Sequence, residues 1–500
     1  MIPSRDELLK KAVSKPRWDI IIIGGGATGL GTALDAASRG HTTLLLEARD
    51  FGKGTSSKST KLIHGGVRYL RQGNVKMVMK ALRERGRLLK NAPHIVHPLR
   101  FVVPCTKWWH KPWYGLGLKL YDLLARHLGI GHTHILNREE TLAYLPGINS
   151  EGLRGGVAYW DGQFDDTRLL ISIAQTAVQN GAVVLNYVEV ADLIKEKGTV
   201  TGVRAKDMES GLEYAFESKT VINATGIGTD FIRTMDNAQA VPMMQAAQGI
   251  HLVVDTSFLS TDTAIMVPDT DDGRVIFGVP WHGKVIIGTT DTPREHISRE
   301  PVPLDEEVDY LLSHVARYLS KPLGRKDVLS VFAGLRPLVR ANKAETKSIS
   351  RDHTLVVSTS GLVTITGGKW TTYRQMAEDA VNRAEKTAGL LKRPCITRTL
   401  PLMDPEAEKD MDSSENNLIH PNLPYFEEHI RRAVTSEWAR SVEDVLSRRT
   451  RCLFLDAKAA IEAAPKVAFF VGHELGWDEA RQKTEVQAFN KVAQIYLVQH

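Results

Sequence analysis

The sequence predicts an α/β chain in which a domain built on a parallel sheet is joined to an antiparallel-sheet domain and a C-terminal α-helical domain. Three observations predict this. A strand, glycine loop, helix and second strand follow one another over residues 19–47. Short strand-like runs separated by turn signals fill 240–330. Helical patterns with almost no strand signal fill 424–500.

The first unit carries the most information. Ile20–Ile23 is a continuous apolar run, as expected of a strand buried on both faces of a parallel sheet. Gly24, Gly26 and Gly29 then give G-x-G-x-x-G. In a Rossmann-like unit these glycines serve a tight turn, close backbone approach to a pyrophosphate, and close helix–strand packing. Residues 27–39 are helix-like and end at Gly40, a good residue just past a helix terminus. The helix N-terminus would offer N–H groups and a positive dipole to the pyrophosphate. Thr43–Leu46 is the next strand, and Glu47 at its end is placed to accept hydrogen bonds from a ribose. An acidic residue there disfavours a 2′-phosphate but does not separate FAD from NAD.

Bulk properties set the frame. Five hundred residues exceed one ordinary core, so two or three domains are expected. At 42% apolar and 24% charged, the chain is globular in composition, neither disordered nor fibrous. Cys105, Cys395 and Cys452 lie far apart with no C-x-x-C pair, which argues against a metal cluster or disulfide framework and fits a reducing compartment. No metal is expected. No run of 18 apolar residues suggests a membrane span, and residues 1–18 lack the apolar core of a signal peptide. A net charge of +6 is compatible with an anionic substrate, an anionic membrane surface or nucleic acid.

Residues 51–70 read FGKGTSSKSTKLIHGGVRYL. Small and hydroxyl residues from Gly52 to Thr60, among them Thr55, Ser56 and Ser59, suit a loop against phosphate and sugar. His64, Gly65, Gly66, Arg68 and Tyr69 follow, polar and reactive side chains around two glycines that let backbone approach a flat ligand. Residues 74–90 form a basic helical stretch. Trp108, Trp109, Trp113 and Tyr114 then lie among Lys107, Lys111 and Lys119, a mixture suited to a membrane interface or to a core between domains. Residues 165–179 are helix-like and 183–190 strand-like. Thr220–Asn223 is a strand running into Ala224, Thr225 and Gly226. Within 240–330 the strands are 251–255, 264–267, 274–279 and 285–289, followed by a helix at 306–319. Leu362–Thr366 is a strand, Gly367-Gly368 a sharp turn, and a helix begins near Thr371. Residues 400–420 are acidic and rich in Pro, Ser and Asn, a linker or long loop.

The stretch GTSSKSTKLIHGGVRYL resembles the signature of FAD-dependent glycerol-3-phosphate dehydrogenases, within the D-amino-acid-oxidase-like flavoproteins. QFDDTRLL, INATGIGTD, IIGTTDT, FAGLRPLV, SRDHTL, GGKWTTYRQMAEDA and RRTRCLFLD agree with it, in order along almost the whole chain. The resemblance implies an FAD-binding domain in three pieces (1–95, 155–240 and 330–395), a substrate-binding domain (96–154 and 241–329) and the helical domain (400–500). It places backbone near Val188 on the adenine, Gly226 near the FAD phosphates and adenosine, and the helix start after Gly367, Gly368 and Lys369 at the flavin. Two glycine-rich helix N-termini serving one cofactor favour FAD over NAD. Arg68, Tyr69, Arg336, Arg351 and Lys369 match the substrate-binding positions, and several cations suit a phosphate dianion. Arg336 and Lys369 are carried over as catalytic as well.

The implied reaction is oxidation of sn-glycerol 3-phosphate to dihydroxyacetone phosphate, with hydride passing to FAD and electrons to a quinone. His64 and His251 are both candidates for the base, and sequence does not choose between them. An arginine-stabilised alkoxide needs no dedicated base. Partners implied are glycerol 3-phosphate, the quinone pool and an anionic membrane surface; a homodimer is left open. The expected location is cytoplasmic, peripheral to the inner face of the cell membrane. One alternative is an oxidase passing electrons to oxygen and making peroxide. A second takes an amino acid, against which the cationic cluster weighs. A third, a nucleic-acid-binding module, finds no Lys/Arg stripe with stacking aromatics outside 107–119, so no nucleic-acid partner is expected.

Overall fold

Ile20–Ile23 and Leu44–Leu46 are almost wholly excluded from solvent, which is why two short apolar runs become neighbouring central strands. In the computed structural model they belong to a sheet ordered His353–Val357, Val363–Gly367, Glu213–Asn223, Trp18–Ile23, Thr43–Leu46, Val183–Leu185. The structure describes all residues except 1, 72, 126, 127, 260, 261, 269, 272, 341–352, 405–416 and 500, and of Arg68 and Arg71 only the backbone. All neighbours in this sheet pair in parallel except the edge strand His353–Val357. The hairpin Val188–Glu196 and Thr199–Asp207 extends it through the first half of Glu213–Asn223. Helices Ala27–Ser38, Asp166–Gln179 and Tyr373–Ala388 pack together against the sheet. Asp165 caps the second of these, accepting the N–H groups of Thr167 and Arg168 at 3.0 Å each.

Two glycines are fixed by contact. A Cβ on Gly29 would lie 1.8 Å from the carbonyl oxygen of Gly24, so only glycine lets the helix lie this close to the strand end. Gly24, at φ +112°, faces the carbonyl of Ala224 in the same way.

The second sheet is ordered Thr292–Arg294, Met244–Asp255, Lys284–Gly288, Ile276–Trp281, Thr263–Val267, Val96–Cys105, Gly155–Phe164, Leu62–Ile63. Val328–Val339 pairs with Met244–Asp255, and His134–Leu136 with Gly155–Phe164. Pairing is antiparallel apart from Thr263–Val267 against Val96–Cys105. Gly155–Phe164 and Val328–Val339 therefore run in this sheet, although the expected boundaries group them with the parallel one. Their long runs of consecutive buried residues suit either sheet, and only the long-range partner decides. The expected strand at 183–190 is also two: Tyr187 takes a left-handed φ of +55° between Val183–Leu185 and Val188–Glu196.

The C-terminal region is helical: Glu427–Thr435, Cys452–Leu455, Ala457–Leu475 and Glu479–Ala493, with a π turn at Asp444–Arg449. Its apolar core continues into Val253, Trp281, Ile286 and Phe332 of the second sheet. Among the described residues no helix is long and apolar enough to cross a membrane.

Candidate active site

Two cavities meet along the loop Gly368–Trp370. The first, about 520 Å³, lies outside the carboxyl ends of the parallel strands and is lined by Ile23, Gly24, Gly26, Ala224 and Gly367. Gly26 precedes the helix Ala27–Ser38 and leaves it without a side-chain cap. Ser56 Oγ instead accepts the N–H of Ala27 at 3.0 Å. Glu47 lines the cavity as expected, but its carboxylate is already bonded by the N–H groups of Gly25 (2.6 Å) and Arg49 (2.9 Å). Burial raises its pKa against these two bonds. Gly226 lines the same wall.

Gly367 and Gly368 have φ of +76° and +75°, a consecutive left-handed pair that turns the strand Val363–Gly367 into the helical turn Trp370–Thr372 and the helix Tyr373–Ala388. Val188 does not reach the cavity. It is fully buried, its N–H donates to Glu47 O at 2.8 Å, and Glu189 and Val190 form the wall there. Ser59 is displaced too: it lines the second cavity, and its hydroxyl donates to Asp166 at 2.7 Å. Thr55 stands at the junction of both cavities.

The second cavity, about 910 Å³, shares Thr55, Pro337, Gly368, Lys369 and Trp370 with the first. His64, Tyr69, His251, Arg336 and Lys369 all line it. Lys369 Nζ lies 3.6 Å from the centroid of the Tyr69 ring. Arg336 donates to Asp291 Oδ1 at 3.0 Å and Thr289 Oγ1 at 3.1 Å, which aim its guanidinium across the sheet. Arg68 has its backbone in the short helix Val67–Arg71, and its side chain is outside what the structure describes. Arg351 lies outside the described residues.

The two histidines are in different situations. The His64 backbone is tied to Thr371 Oγ1, and the next N–H, of Gly65, donates to Tyr121 at 2.7 Å. Tyr121 in turn donates to Asp161 (2.7 Å), which is paired with Arg85 (2.8 Å). No hydrogen bond engages the His64 ring among the described residues, and burial lowers its pKa from the ordinary value. His251 is stacked on Phe332 (centroids 4.8 Å apart), and its Nε2 meets Thr60 Oγ1 at 2.8 Å. Burial, with Arg336 and Lys61 nearby, holds its pKa well below the ordinary value.

Sequence reading missed Asp161 and Arg274 in this lining, and placed Thr60 against the cofactor where it instead lines the second cavity. Arg274 was visible only as the start of a strand-like run. Thr289, Thr290 and Asp291 lie inside IIGTTDT, a motif quoted for the resemblance but given no role. Arg299, at the first cavity, carries no local signal. Among the described residues no group of three or more His, Cys, Asp or Glu is placed to hold a metal ion.

Family models now bear on this geometry. The model for FAD dependent oxidoreductases matches residues 19–374, and that for the C-terminal domain of alpha-glycerophosphate oxidase matches 363–482. The chain belongs to the FAD-dependent oxidoreductase family. Within it, the sequence groups with glycerol-3-phosphate dehydrogenases. It is 39% identical to the mitochondrial glycerol-3-phosphate dehydrogenase of Mus musculus, over 97% of this chain and 74% of that one. It is 36% identical to the one of Schizosaccharomyces pombe, over 96% and 87%. Among solved structures, the glycerol-3-phosphate dehydrogenase of Bacillus halodurans complexed with FAD matches with a TM-score of 0.78 and 29% identity, covering 99% of this chain and 97% of that one. FAD is the cofactor of this family. A glycine-lined cavity at a helix N-terminus that begins on a glycine, with an acidic residue at the second strand end, fits its pyrophosphate and ribose.

Proposed function

We propose that the chain oxidises sn-glycerol 3-phosphate to dihydroxyacetone phosphate and passes the electrons to a quinone. The observation that carries this reading is the shared wall of the two cavities at Gly368–Trp370, which contains Lys369 and faces the cavity that Arg336 lines. FAD in the first cavity supplies the hydride acceptor. The names of the relatives supply the substrate class, and the cationic second cavity suits a phosphate dianion.

Glu47, Gly24 and Gly26 would hold the adenosine and pyrophosphate, and the turn Gly367–Lys369 the flavin. Arg336, Lys369 and Tyr69, with Arg68 and Arg351, would bind the phosphate and the reacting oxygen. His64 is the better placed of the two histidines to accept the hydroxyl proton. It is neutral near pH 7, and its ring nitrogens are not engaged among the described residues. His251 has its Nε2 on Thr60, and two neighbouring cations disfavour its protonation. Its role here is to shape the wall.

A lipid-soluble acceptor is supported by the helix His110–Ala125. Trp113 and Leu116 are 61% and 75% exposed while also lining the second cavity. Trp108 and Leu123 extend this apolar surface. We place this face on the inner surface of the cell membrane, with the lysines beside it towards anionic headgroups. The test is turnover of glycerol 3-phosphate with a soluble quinone analogue against oxygen uptake without it. Quinone-dependent turnover supports the reading. Peroxide formation at a comparable rate would make the chain an oxidase.

A further inference from the structure

The segment Arg49–Ser57 runs between the first cavity and the C-terminal helical region, and Lys53 reaches both. Arg49 and the run Gly52–Ser56, Lys53 included, line the cavity. Gly52 N–H donates to Gly25 O at 3.0 Å, and Ser56 Oγ sits on the N–H of Ala27, so the segment lies directly over the glycine loop. Asp50, Phe51, Lys53 and Ser57 reach the helical region. The Asp50 carboxylate receives a two-pronged contact from Arg449, 2.8 Å on each oxygen, and a third bond from Arg448 Nε at 2.5 Å. Phe51 meets Trp438 edge-on, with centroids 6.0 Å apart. Lys53 pairs with Glu443, and Ser57 O accepts from Arg451 at 2.9 Å.

These are not surface ion pairs. Asp50 has no exposed side-chain surface, and those of Arg448 and Arg449 are 4% and 1% exposed. A buried ion pair adds little net stability over a well-packed apolar contact, but it fixes geometry, and removing one partner is costly. Apolar packing alone would hold the helical region against the rest of the chain; three directed bonds on one carboxylate set its register relative to the segment. Asp50, Arg448 and Arg449 do not themselves line the cavity.

We propose that the C-terminal helical region is part of the FAD site: the Asp50–Arg449 clamp positions Arg49–Ser57 over the glycine loop, so that FAD retention and docking of residues 437–451 are coupled. Coupling of this kind is reciprocal. FAD tightens the docked region, and the docked region raises the affinity for FAD. Asp50, Arg448 and Arg449 are positioning residues, acting on the cofactor through the segment between them.

The test has two arms. FAD release from diluted holoenzyme is followed by the rise of free-flavin fluorescence in Asp50→Asn, Arg449→Lys and Val471→Ala. Val471 is buried in the core of the helical region, so its truncation lowers stability without touching the clamp. Retention is expected to fall by about 5- to 150-fold, the usual range of a coupling between sites, in the first two and to hold in the third. In the wild type, hydrogen exchange is compared with FAD bound and after its removal. Exchange at 437–451 is expected to quicken on removal, with 479–493 unchanged. Unchanged retention in both clamp variants, or an equal loss in Val471→Ala, would overturn the proposal. So would identical exchange at 437–451 with and without FAD, which decides the matter even if the variants do not fold.

Discussion

Arg336→Ala is the substitution whose cost follows most directly from the site. Its guanidinium is held by Asp291 Oδ1, Thr289 Oγ1 and, at 3.4 Å, Gln248 O, and it faces the cavity that also holds Lys369. Truncating one partner of a desolvated charge contact costs roughly 2–5 kcal/mol. Asp291 already balances part of this charge, and 30% of the side chain stays exposed, so the lower half of that range applies. About 2–3 kcal/mol corresponds to a loss of about 30- to 140-fold in kcat/KM for glycerol 3-phosphate. Arg336→Lys keeps the charge but loses the fork and should recover only part of the loss. The assay is the rate of flavin reduction on anaerobic mixing, with bound FAD quantified in the same sample. A variant with full FAD and kcat/KM within about twofold of the wild type would refute the placement of Arg336 at the substrate.

Other perturbations separate the remaining roles. His64→Asn should lower kcat about 100- to 10 000-fold if a positioned base is lost. In the wild type, where burial holds the histidine below 6.5, kcat/KM should stay level down to that value and fall only below it; a fall that begins above 6.5 would place the base elsewhere. Asp50 is held at about 2 against an unfolded value of 3.8, chiefly by Arg449 and Arg448 against the cost of burial. The group's folded pKa is depressed, so its stabilisation is present above pH 3.8 and lost as pH falls towards 2. The stability difference between wild type and Asp50→Asn, read by denaturant unfolding, should shrink as pH falls across this window. Changing Trp108, Trp109 and Trp113 together to Ser should reduce sedimentation with anionic vesicles. Equal sedimentation, with circular dichroism unchanged, would leave the patch without a membrane role.

Local features were legible and long-range ones were not. Gly24, Gly29, Gly367 and Gly368 could be read because each occupies a position that a side chain would block or strain. Glu47 was legible from its spacing, though not the two N–H groups already bonded to its carboxylate. Val188 was expected to bring backbone to the cofactor, whereas the strand after the turn at Tyr187 meets the cavity at Glu189 and Val190, and no local signal marks where along the strand the wall begins. Ser59 looked like its neighbours Thr55 and Ser56 until the chain turned towards Asp166, 107 residues away. The pairing of Val328–Val339 with Met244–Asp255, which brings Arg336 opposite Ala247, has no local signature at all. The Asp50–Arg449 contact spans 399 residues, and the motif RRTRCLFLD gave no hint of where its arginines point.

The central claim is that this chain's FAD takes a hydride from glycerol 3-phosphate. The most direct measurement is the flavin absorbance of purified holoenzyme mixed anaerobically with glycerol 3-phosphate, with glycerol and an amino acid as controls. Bleaching is expected with glycerol 3-phosphate alone, reversed on adding a quinone analogue. A flavin that stays oxidised with glycerol 3-phosphate, or bleaches equally with glycerol, would contradict it.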